Sequence, residues 1–147
     1  MVSRSRLVVV IRGNLEALAK ACKVDIELLG VYEQAKLPSV YASSDVFVLA
    51  SFTEGHPKVL LEAMACGLPC VASDCPGNRS LIAHEKTGLL FNPHDPKALT
   101  ECLRRVLEDP ALAARLGKAG RALVAERYDL GTLVRREIEL VRSVARR

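Results

Sequence analysis

Tryptophan is absent from this chain, and phenylalanine and tyrosine together supply only 4% of it. A surface that grips nucleic acid by stacking bases on aromatic rings is therefore poorly supplied, and no nucleic-acid partner is expected. No apolar run approaches the ~20 residues that a helix needs to cross a bilayer. The five cysteines, Cys22, Cys66, Cys70, Cys75 and Cys102, lack the short CxxC pairing of structural zinc sites. Their number is odd and no leader pattern stands ahead of them, so reduced thiols in a cytoplasmic compartment are expected. His56 or His84 could join Cys66, Cys70 and Cys75 around a metal. Cysteine is equally a small core residue, and no metal is expected.

What is present describes a folded domain. The 147 residues are 50% apolar and 26% charged, enough to bury a core and too apolar for a disordered chain. The net charge is +4, with much of the excess in Arg135, Arg136, Arg142, Arg146 and Arg147. A solvated helix face accounts for these arginines; an anionic membrane surface or an acidic partner is the alternative. Neither a repeat nor a flexible linker interrupts the chain. Residues 1–147 therefore read as one domain, with 129–147 as a basic C-terminal helix.

Short apolar runs alternate with helical patterns. Residues 7–11 (LVVVI), 26–29 (IELL), 45–50 (DVFVLA), 69–73 (PCVAS) and 88–91 (GLLF) read as strands. Residues 15–22, 37–44, 57–66 and 78–84 read as helices between or beside them. Strands that are apolar without alternation, separated by helices, belong to a parallel sheet covered on both faces. The expected fold is a doubly wound, Rossmann-like α/β domain. From Asp95 onward the chain reads as helical, with Leu99, Leu103, Val106 and Leu107 at helical spacing and a final helix over 133–144.

The stretch EGHPKVLLEAMACGLP, residues 54–69, follows the clearest strand. In an open α/β sheet, ligands bind outside the carboxyl ends of the strands, which places Phe52, Thr53, Glu54, Gly55 and His56 in a loop at that edge. Pro57 suits the first position of a helix, where its missing N–H is no loss. The helix from Pro57 then points free N–H groups and the positive end of its dipole into the crevice, an anion site matched to phosphate. Glu62 lies about 7.5 Å further along the axis, comparable to the distance from a diphosphate to the hydroxyls of its ribose. Glu54 stands on the side where a sugar beyond the diphosphate would sit. A plainer reading makes Lys58 and Glu62 a surface ion pair and lets Glu54 favour the helix N-terminus. Against it, lysine before glutamate is the weaker order, and a first-turn lysine opposes the dipole unless an anion comes there.

Around that stretch stand LPSVYASSD at 37–45, VASD at 71–74, GNR at 77–79, KTGLLF at 86–91 and DPKAL at 95–99. Together they resemble the C-terminal, donor-binding half of retaining GT-B glycosyltransferases, most closely family 4, over about residues 7–142. The resemblance implies hexosyl transfer, with retention, from a nucleotide-diphospho-sugar donor to a glycan or lipid-linked acceptor. No cofactor or obligatory metal is implied, and contact with the inner face of a membrane is compatible with it. It assigns Glu54 to the transferred sugar and the transition-state charge, and Glu62 to the ribose. The backbone N–H groups of Lys58 and Val59 are assigned to the diphosphate, with Gly55 and His56 as further substrate-binding positions of the loop. Val31 is assigned to the edge that meets the nucleobase.

The chain also departs from the pattern. Such families often carry glycine where Pro57 stands, and a glycine-rich turn where Ile11, Arg12, Gly13 and Asn14 lie. Arg12 is either a chance replacement or a residue that approaches phosphate. Relatives begin this half one strand earlier, on a piece bearing an arginine and a lysine that neutralise the leaving diphosphate. They also have an N-terminal domain that binds the acceptor. The expectation is a half-domain lacking its first strand and inactive alone, with an N-terminal domain supplied in trans. The alternative is a non-catalytic nucleotide-binding half, or a fragment that needs a partner chain.

Overall fold

The computed structural model describes residues 7–10 and 33–145. Among these residues four strands form one sheet: β1 (Leu7–Val10), β2 (Val46–Leu49), β3 (Cys70–Ser73) and β4 (Leu89–Phe91). They lie side by side in that order and are parallel throughout, with Val8 opposite Phe47, Val48 opposite Val71 and Ala72 opposite Leu90. The strand expected at 26–29 and the helix at 15–22 fall outside the described residues, as do Arg12 and Val31.

A single turn of 3-10 helix, Gln34–Lys36, leads into α1 (Leu37–Ala42). The other helices are α2 (Lys58–Ala65), α3 (Pro76–Leu81), α4 (Pro96–Glu108), α5 (Pro110–Arg127) and α6 (Leu130–Ala145). Phe47, Leu49, Cys70 and Ala72 pack on one face of the sheet with Tyr41 of α1, Leu60, Ala63 and Met64 of α2, and Leu81 of α3. On the other, Val46, Val71, Leu89 and Phe91 pack with Cys102 and Val106 of α4 and Leu112 and Leu116 of α5. Every residue of β2 and β3 is buried, which is why their sequences show no polar alternation.

Local chemistry sets the helix ends. Asp95 and Asp109 cap α4 and α5 by accepting from the N–H groups of Lys97 and Leu112, each at 2.9 Å, and a proline follows each cap. Helix α2 stops at Gly67, whose φ of +77° suits glycine. There the Gly67 and Leu68 N–H groups return to the Met64 and Ala63 carbonyls at 2.9 and 3.1 Å, a Schellman closure.

Several expected boundaries shift. Helix α1 ends at Ala42 rather than residue 44, with Ser43 and Ser44 turning their hydroxyls back to the Val40 carbonyl. Helix α3 begins at Pro76, two residues earlier than expected, because proline fixes its own φ at the first helical position. The last helix starts at Leu130, three residues earlier than expected. Among the described residues, no three His, Cys, Asp or Glu side chains gather as a metal site, and Cys70, Cys75 and Cys102 are buried free thiols. No described helix is long and apolar enough to cross a membrane.

Candidate active site

The end of β2 opens into the loop that carries Glu54, and that loop closes on the first turn of α2. The helix does not begin at Pro57. Pro57 is its N-cap, with an extended ψ of 102°, and the first helical residue is Lys58. The proline ring permits this conformation, and the Pro57 carbonyl already accepts from the Leu60 and Leu61 N–H groups at 3.1 and 3.3 Å. Glu62 is thereby the fifth helical residue, ~6 Å along the axis from the first. No side chain caps the helix, so the N–H groups of Lys58 and Val59 remain as donors at the positive end of the dipole.

A cavity of about 300 Å³ lies at this point, lined by Leu49, Ser51, Glu54, His56, Pro57, Lys58 and Val59. Four residues singled out from the sequence (Glu54, His56, Lys58 and Val59) thus meet around one space. Gly55 lies exposed in the same loop, while Glu62 is half-buried behind the first turn and is not part of the lining. His56 packs against Tyr128 at the end of α5, with ring centroids 5.7 Å apart. Phe52 is 71% exposed and sits 5.3 Å from the His94 ring. The loop is braced from both sides.

The two glutamates are held by hydroxyls. Ser51 donates to Glu54 Oε1 at 2.6 Å. Tyr41, from α1, donates to Glu62 Oε2 at 3.2 Å. Burial, followed by the charge of Glu62, pushes the Tyr41 phenol well above its ordinary range, so it remains a donor. The surface ion pair between Lys58 and Glu62 is not formed, and among the described residues neither Glu54 nor Glu62 meets a cation.

Behind the loop the strand ends are tied together. The Ser73 hydroxyl donates to the Ser51 carbonyl and accepts from the Ser51 N–H at 3.2 Å. Asn78, fully buried in α3, donates from Nδ2 to the Ser73 carbonyl at 2.8 Å and to its hydroxyl at 3.2 Å. Gly77 lies so close that a side chain there would run into the Glu54 and Gly55 carbonyl oxygens.

Comparison with known proteins gives the family. Residues 2–123 match the family described as glycosyl transferases group 1. The chain belongs to that family. An uncharacterised glycosyltransferase of Haemophilus influenzae is 32% identical over 122 residues, covering 82% of this chain and 34% of the relative. Sucrose-phosphate synthase from Thermosynechococcus elongatus superposes with a TM-score of 0.82 at 32% identity, over 88% of this chain and 33% of that one. An Anabaena protein solved with UDP gives 0.82 at 26% identity, over 88% and 36%. The chain thus spans about a third of the length of these relatives. The parallel sheet with helices on both faces is the C-terminal half of a GT-B fold, as expected.

Within this family fold, Glu54, His56, Lys58 and Val59 are brought together, and Glu62 follows on the same helix. Val31 lies outside the described residues. Sequence reading missed Ser51, Tyr41 and Ser73 as partners of the site. Tyr41 carried the one available signal: a tyrosine at helical spacing from Leu37 buries its ring and needs a partner for its hydroxyl.

Proposed function

We propose that this domain is the donor-binding half of a retaining hexosyltransferase that takes a nucleotide-diphospho-sugar and serves a glycan or lipid-linked acceptor. The observation that supports it best is the cavity at the uncapped N-terminus of α2, lined by Glu54, His56, Lys58 and Val59. In this reading the diphosphate takes the N–H groups of Lys58 and Val59, with Gly55 and His56 beside it. Glu54 faces the sugar, Glu62 accepts from the ribose hydroxyls, and Val31 meets the nucleobase. As the bond from the anomeric carbon to the diphosphate oxygen lengthens, positive charge grows on the carbon and negative charge on the leaving group. Glu54 stabilises the first; the helix terminus and Lys58 stabilise the second, with no metal invoked.

The acceptor would be bound by an N-terminal domain, in the same chain or in trans. A lipid-linked acceptor would bring the domain to the inner, cytoplasmic face of a membrane, where the exposed Arg142 of α6 offers positive charge. A second reading, a nucleotide-binding half without catalysis of its own, has one observation in its favour. Lys58 is the one lysine or arginine in the cavity lining among the described residues, a thin match for a departing diphosphate.

Titration calorimetry with UDP, GDP and ADP, beside a donor-consumption assay, tests both readings. The chain is expected to bind one of these diphosphates and, alone, to transfer no sugar. Glu62→Ala should weaken that binding about 10- to 100-fold, the loss of charge-assisted hydrogen bonds of about 1.5–3 kcal/mol, with a modest fall in melting temperature as the Tyr41 hydroxyl loses its partner. Failure of all three nucleotides to bind overturns the donor site. A large fall in melting temperature at unchanged affinity would make Glu62 structural.

A further inference from the structure

We propose that Ser51 is a positioning residue that fixes which oxygen of Glu54 the donor sugar meets. Its hydroxyl donates to Oε1 at 2.6 Å, a short, charge-assisted hydrogen bond. Among the described residues Oε2 has no partner, and Glu54 lines the cavity. One oxygen is therefore tethered and the other is left for substrate. A carboxylate held in this way has its orientation set, with Oε2 left to accept from the donor sugar.

The tether works because the Ser51 backbone is pinned. Its N–H and its carbonyl are both bound to the Ser73 hydroxyl, and that hydroxyl spends its one donor and both its acceptor positions on Ser51 and Asn78. Ser73 and Asn78 are fully buried, so no water competes for these bonds. Next to Asn78, Gly77 packs against the carbonyls of Glu54 and Gly55 and limits how far the loop can recede. The end of β3 and the first turn of α3 thus set the orientation of a side chain that belongs to neither.

This role rests on the donor-site reading, and the test separates the two. Ser51→Ala, Ser51→Thr and the unaltered chain are titrated with the nucleoside diphosphate that binds best and with the matching diphospho-sugar. Crystal structures without ligand are solved for the unaltered chain and for Ser51→Ala. Ser51→Ala should bind the diphospho-sugar ~10-fold more weakly and the diphosphate equally well, with Ser51→Thr restoring the difference. Unaltered diphospho-sugar affinity in Ser51→Ala overturns the proposal. So does an equal loss for both ligands with a lowered melting temperature, which marks a merely structural serine. If the unaltered chain binds neither ligand, the donor-site reading fails and the crystal structures decide the tether alone. A Glu54 carboxylate that keeps its position in Ser51→Ala refutes the tether, and one that disperses over several rotamers upholds it.

Discussion

On α4, Arg104 bridges Glu101 and Glu108 at 2.7 and 2.6 Å, and Arg105 reaches Glu85 at 2.9 Å; at the mouth of the sheet, the partners of Glu54 and Glu62 among the described residues are the hydroxyls of Ser51 and Tyr41. Both groups are held in place, but by different chemistry. The arginines cancel the charge of the carboxylates they hold, and Arg105 and Arg104 hydrogen-bonded to Glu85 and Glu101 keep those carboxyls below their ordinary range. A hydroxyl orients a carboxylate without cancelling its charge. The carboxylates held by Arg104 and Arg105 are paired within the protein, whereas Glu54 in the cavity lining and Glu62 behind it meet no cation among the described residues. The contrast separates a solvated surface network from a site more sharply than the glutamates' spacing does.

The largest expected effect lies with the crevice. In an enzyme reconstituted to the length of its relatives, Glu54→Gln should lower turnover about 10²- to 10³-fold, or about 2.7–4 kcal/mol, the scale of a lost electrostatic stabiliser. Binding of the nucleoside diphosphate, which carries no sugar, should hardly change. Steady-state kinetics beside calorimetry reads both. Lost diphosphate affinity with turnover preserved at saturation would make Glu54 a loop scaffold and dissolve the contrast.

A smaller effect is expected at Tyr41. The ring meets Phe47 edge-on, with centroids 6.0 Å apart, and Tyr41→Phe keeps that packing while removing the donor to Glu62. Nucleotide affinity should fall about 3- to 10-fold, a net hydrogen bond of about 0.5–1.5 kcal/mol, measured by the same titration. A rise in affinity would mean that the phenol competes with the ribose for the carboxylate.

The smallest effect belongs to α4. Arg104→Ala should leave nucleotide binding unchanged and lower the melting temperature by no more than about 2 °C, because exposed ion pairs contribute little. The pH dependence has a definite sign. Carboxyls held below their ordinary range stabilise the fold at neutral pH, and that contribution lapses as the pH falls through the lowered values. Thermal melts of the variant and the unaltered chain should therefore differ near neutrality and converge in acid. A difference that grows in acid would show that Arg104 acts by packing instead.

Periodicity and composition determined the parallel strands, the helices on both faces and the loop that carries Glu54, because burial on two faces and turn chemistry are written in neighbouring residues. They also brought Glu54, His56, Lys58 and Val59 to one end of the sheet, since strand, loop and helix follow one another in the chain. Proline chemistry set where α2 and α3 begin, whereas tertiary structure decided that Asn78 is drawn inside to hold Ser73. The partners of the glutamates divide along the same line. Ser51 is three residues from Glu54, but what pins Ser51 is Ser73, 22 residues away, and Glu62 takes its hydroxyl from Tyr41, 21 residues back. No spacing encodes such contacts, because parallel pairing and helix packing set which side chains become neighbours only after the sheet has assembled.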